Sequence, residues 1–62
     1  MAFAQNLSNL LQHNDISSYK LAKEIGVHTS TVTNWVTGRQ PNIDHLKAVS
    51  KFFDVAIDEL IK

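Results

Sequence analysis

The stretch from Thr29 to Thr37, TSTVTNWVT, holds four threonines, one serine and one asparagine, and no ionisable side chain. A carboxamide sets a donor beside an acceptor, and a threonine sets a hydroxyl beside a methyl. Such groups recognise a surface by neutral hydrogen bonds and shape; a serine or threonine hydroxyl breaks bonds only when a base activates it. Ser, His and Asp all occur elsewhere, but no spacing joins them into a nucleophile arrangement, and 62 residues leave little room for a substrate cavity. His13, His28 and His45 lie 15 and 17 residues apart on different predicted helices, which does not suggest a metal site. There is no cysteine, hence no disulfide and no thiolate chemistry, and no glycine-rich phosphate loop. The chain therefore reads as a binding module, not an enzyme, with no cofactor, metal or small-molecule ligand expected.

The elements that must hold this stretch follow from periodicity. A 44% apolar content in 62 residues argues for one packed domain near the lower size limit for an unstapled fold. No apolar run is long enough to span a membrane, and no signal pattern opens the chain. Phe3, Leu7, Leu10 and Leu11 form the stripe of a first helix ending near His13, followed by Asn14–Asp15 turn chemistry and Ile16 packing back. Ser17 or Ser18 caps a second helix that buries Leu21, Ala22 and Ile25. Gly26 ends it in a positive-φ turn, and Val27 plugs the turn into the core. A third helix starts near His28 or Thr29. Its β-branched threonines are poor helix formers, but the spacing of Val32, Trp35 and Val36 and the flanking glycines decide for helix over strand. After the Pro41 loop, Asn42 caps a fourth helix burying Ile43, Leu46, Val49 and Phe53, with Asp54 as a left-handed terminator. A last short helix carries Ile57, Leu60 and Ile61. The expectation is an all-α, compact five-helix domain over 1–62, with a helix-turn-helix unit at about 18–37.

A helix-turn-helix needs a small residue where its helices cross, glycine at the turn, and apolar residues at fixed offsets. Ala22 and Gly26 meet the first two needs, and Val32, with Leu21, Ile25, Val27 and Trp35, stands at the fixed apolar offsets. On these residues, with Ile16-Ser17, Gly38, Pro41, Leu46, Phe53, Val55 and Leu60, the chain resembles the phage Cro and CI repressor-type helix-turn-helix family from about Leu7 to Leu60. The resemblance implies a lambda repressor-like domain, Cro-like and of phage or prophage type, that binds double-stranded operator DNA on near-palindromic half-sites as a homodimer. It also implies a cytoplasmic, nucleoid-associated setting in a bacterial or phage-infected cell.

Matching the motif position by position puts Thr29, Ser30 and Asn34 at base-reading places, with Thr33 beside them. Asn pairs bidentately with adenine, and Thr methyls suit the thymine methyl; without Arg or Lys, strong guanine readout is not expected. Thr37, Arg39 and Gln40 follow, where family members clamp the DNA backbone. Two departures stand out. The Gln that usually braces a phosphate is Ser18, leaving Ser17, Ser18 and the positive helix end for that contact. The Ser that usually opens the reading helix is His28, whose protonation would strengthen phosphate binding at lower pH. A further pair is linked: an Arg–Glu ion pair common in the family is replaced by Leu11 and Val36, predicted to touch in the core.

Charge is zero in sum but uneven. Residues 1–16 carry −1, residues 17–51 carry +3, and residues 52–62 carry −2. A basic middle suits a polyanion bound on one face, with weak nonspecific attraction. Lys20 and Lys23 serve either solvation or a phosphate. Tyr19 either packs on the core edge or offers its hydroxyl to a phosphate, and Trp35 is read as core. Phe52, Ile57 and Ile61 are the expected surface of a weak homodimer, formed in the limit only on DNA. The rival reading is a protein-binding module on the same scaffold, such as an antitoxin, antirepressor or adaptor, with DNA contact secondary.

Overall fold

The computed structural model describes residues 2–62. Five helices follow in order: α1 Phe3–His13, α2 Ser18–Ile25, α3 Thr29–Val36, α4 Ile43–Phe53 and α5 Ile57–Ile61. The all-α expectation is borne out, and the helix ends show why these residues make these elements. Ser17 caps α2 by accepting a hydrogen bond from the Lys20 amide at 3.1 Å. Asn42 does the same for α4 through the His45 amide at 2.8 Å. Gly26 closes α2 at φ 78°, with its own N–H and that of Val27 both donating to the Ala22 carbonyl at 2.9 Å. Asp15 and Asp54 take left-handed conformations at φ 54° and 57°, the first just beyond α1, the second closing α4. Aspartate tolerates this backbone better than most residues with a Cβ.

The core is made by Phe3, Leu7, Leu11, Leu21, Ala22, Val32, Trp35, Leu46, Val49 and Leu60. Helix α3 packs chiefly on α2 and α1, while α5 closes onto α1 and α4. Trp35 is the hub: its ring stands edge-on to Phe3 at 5.9 Å and tilts against His45 at 5.3 Å. This fulfils its reading as core. One long-range bracket has no counterpart in the sequence reading. The Asn6 carboxamide donates to the carbonyls of Leu60 at 2.8 Å and Glu59 at 3.2 Å, fastening the end of α5 to α1. It satisfies helix-end carbonyls that have no partner within the helix.

Ile43 corrects one expectation. The spacing predicts it on the buried face of α4, yet it is 56% exposed. At 100° per residue it lies about 90° from the centre of the Leu46, Val49 and Phe53 stripe. His45, on the other flank, is half-buried and turns toward Trp35. Among the described residues no helix is long and apolar enough to cross a membrane, and no group of three His, Cys, Asp or Glu could hold a metal.

Candidate nucleic-acid interface

Helix α3 has two faces of opposite character. Val32 and Trp35 are buried and Val36 is half-buried. On the other side Ser30, Thr33, Asn34 and Thr37 recur at i, i+3, i+4 and i+7, and with Thr29 all are exposed. The structure thus brings the four expected base-reading residues, Thr29, Ser30, Thr33 and Asn34, onto one contiguous polar face. Among the described residues nothing hydrogen-bonds the Asn34 carboxamide, so its donor and acceptor both face solvent. The hydroxyls are not all so free. Thr33 Oγ1 donates to the Thr29 carbonyl at 3.1 Å. Thr37 Oγ1 donates to the carbonyls of Thr33 at 3.1 Å and Asn34 at 2.9 Å.

The two ends of α3 are also unlike. His28 is the residue before the helix, and its side chain makes no capping hydrogen bond. The Thr31 amide donates to the His28 carbonyl at 3.0 Å, which leaves the Thr29 and Ser30 amides without an acceptor among the described residues, beside an exposed imidazole, an arrangement favourable to an anion. At the far end the Arg39 amide donates to the Asn34 carbonyl at 2.9 Å, and Gly38 adopts φ 121° to allow it. That bond ties the loop carrying Arg39 and Gln40 to α3 itself. Both side chains are exposed.

The edge of α2 supplies the second flank. Ser17 is exposed, but its hydroxyl oxygen is partly engaged in capping, whereas Ser18 is half-buried. Tyr19 is 64% exposed, so its ring does not pack on the core edge, and its hydroxyl is available outward. Lys20 lies 3.9 Å from Glu24 in an exposed pair that is weak in water and readily exchanged. Leu11 and Val36 line the same shallow hollow between α1, α2 and α3, together with Ile16, Ser17 and Ser18. Leu11 is buried and Val36 half-buried. At the other end of the molecule Phe52, Ile57 and Ile61 are half-buried and packed against the core, and Phe52 stands edge-on to Phe53 at 5.0 Å. They present partial apolar surface, far less exposed than Tyr19 or Ile43.

What the sequence reading missed here is the double duty of the threonines. The only signal was their four-residue spacing, Thr29 to Thr33 to Thr37, which permits a hydroxyl to reach back one turn.

Three comparisons bear on this geometry. The family model for the Cro/C1-type helix-turn-helix DNA-binding domain matches residues 6–62. An HTH-type transcriptional activator, BcrR of Enterococcus faecalis, is 36% identical over 62 residues, spanning 98% of this chain but 30% of that protein. A transcriptional regulator from Listeria innocua, known from its crystal structure, superimposes with a TM-score of 0.87 at 34% identity, over 94% of this chain and 55% of that one. The chain thus spans under a third of the curated relative and about half of the structural one. Both relatives are named as regulators of transcription, and neither name describes an enzyme. With its helix-turn-helix geometry and the match over nearly its whole length, this chain belongs to the Cro/C1-type helix-turn-helix DNA-binding domain family.

Proposed function

We propose that the domain is a sequence-specific reader of operator DNA that regulates transcription by seating α3 in the major groove. Thr29, Ser30, Thr33 and Asn34 meet base edges. Ser17, Ser18, His28, Thr37, Arg39 and Gln40 lie along the phosphates, the two serines at the start of α2 and the others at the ends of α3. The observation that carries this reading is the contiguous polar face of α3, exposed while the opposite face supplies Val32 and Trp35 to the core. Since α3 bears no charge, its contribution is selectivity, and affinity must come from the flanking contacts.

Size supports a homodimer. The Cα framework extends 24 × 21 × 19 Å. Half-sites on one face of B-DNA recur about every 34 Å, so one copy covers one half-site. Phe52, Ile57 and Ile61 form the proposed contact between copies. For the domain by itself the proposed sign is repression by occupancy of the operator; activation, as in the Enterococcus faecalis relative's name, needs something more than occupancy.

A salt titration tests this reading. Affinity for a duplex should fall by roughly one decade per decade of salt for each phosphate contacted. Arg39→Ala should weaken all sequences about equally and reduce that slope by about one. Absence of binding to any duplex at low salt overturns the proposal.

A further inference from the structure

We infer that Thr33 reads DNA as an acceptor only, selecting an A·T pair and excluding guanine from the position beneath it; this rests on the proposal that α3 lies in the major groove. Thr33 Oγ1 is 3.1 Å from the Thr29 carbonyl oxygen. A carbonyl cannot donate, so the hydrogen between these oxygens is the Thr33 hydroxyl's own. Its one donor is therefore spent inside the helix. What remains facing outward, on an exposed side chain, is a pair of oxygen lone pairs and a methyl group.

Base edges respond to that polarity. Guanine shows the acceptors N7 and O6 to the major groove, and an acceptor-only oxygen is repelled by both. Adenine and cytosine offer an amino donor, and thymine offers a methyl. An A·T pair answers both halves of the side chain at once, the amino group toward Oγ1 and the thymine methyl toward the threonine methyl. A hydroxyl that swivelled to donate to guanine would first give up its bond to Thr29. Asn34, the adjacent residue on the same face, retains both donor and acceptor and carries no such restriction.

Thr33→Val and Thr33→Ser separate the parts. Valine keeps the shape and apolar surface and removes the acceptor. Serine keeps the oxygen and its reach to Thr29 and removes the methyl. Each variant and the unaltered protein are used to select bound duplexes from a random pool, with thermal melts confirming that all three are folded. In the unaltered protein one position per half-site should be A·T, with guanine depleted about tenfold. Valine should shrink that depletion to about twofold, whereas serine should preserve it and lose part of the thymine preference. Guanine enriched at a position that loses its preference in Thr33→Val overturns the inference, as does a valine profile identical to the unaltered one. Failure of the unaltered protein to enrich any duplex overturns the DNA-reading proposal beneath it.

Discussion

Helices α3 and α4 each bury two core side chains, Val32 and Trp35 in one and Leu46 and Val49 in the other, yet they are built on opposite plans. Helix α4 is encoded locally. It has 11 residues, a side-chain cap from Asn42, Asp44 in its first turn, Lys51 in its last, and a left-handed close at Asp54. Capping and dipole terms of this kind contribute about 0.3–1.5 kcal/mol each. Helix α3 has eight residues, no side-chain cap at its start and no charge at either end. Its threonines lower its intrinsic propensity. What holds α3 helical is its contact with α1 and α2 through Val32 and Trp35. Beyond the bonds of the Thr33 and Thr37 hydroxyls to helix carbonyls, the outer face of α3 therefore adds little to folding, in keeping with its proposed role in recognition.

The largest expected effect breaks α3's tertiary support. Trp35→Ala should cost about 3–5 kcal/mol, comparable to the whole stability of a domain this size. A circular-dichroism melt should lose its cooperative transition. Next comes the junction that fixes the loop after α3. An alanine Cβ at Gly38 would meet nothing within 4 Å, but φ 121° is a backbone state that L-residues rarely adopt. Gly38→Ala should cost about 1–3 kcal/mol by strain alone, read as a lower melting temperature. The smallest pair sharpens the contrast directly. Asn42→Ala should destabilise by about 1 kcal/mol through loss of the α4 cap, whereas His28→Ser should stabilise by about 0.5–1 kcal/mol by giving α3 the cap it lacks. If denaturant titrations show both substitutions destabilising alike, α3 is not the locally underdetermined helix described here.

The parts of the fold that were legible in the sequence are those coded by neighbours in the chain. Ser17, Gly26, Asn42 and Asp54 act within a turn of their own position, and each stands where its chemistry required. The helix-turn-helix was legible for the same reason, since Ala22, Gly26 and Val32 fall at short fixed offsets. Ile43 was misread because a spacing of three residues to Leu46 admits both the centre and the rim of a helical stripe. Only the packing of α4 decided that it lies on the rim, 56% exposed. The Asn6 bracket was invisible because its partners lie 53 and 54 residues away. At the interface, the exposure of Thr29, Ser30, Thr33 and Asn34 followed from the burial of Val32 and Trp35. The commitment of the Thr33 and Thr37 hydroxyls did not, since residue type alone leaves a hydroxyl free to point either way.

The central claim is that the outer face of α3 serves recognition and not stability. Asn34 tests it most directly, because its carboxamide is exposed while its backbone carbonyl, which receives the bonds from Thr37 and Arg39, is kept in any substitution. Binding of Asn34→Ala to a duplex selected by the unaltered protein should be measured beside its thermal melt. The expected result is an affinity loss of about 1–3 kcal/mol confined to one base-pair preference, with the melting temperature essentially unchanged. Unchanged affinity, or a loss matched by an equal loss of stability, would contradict it.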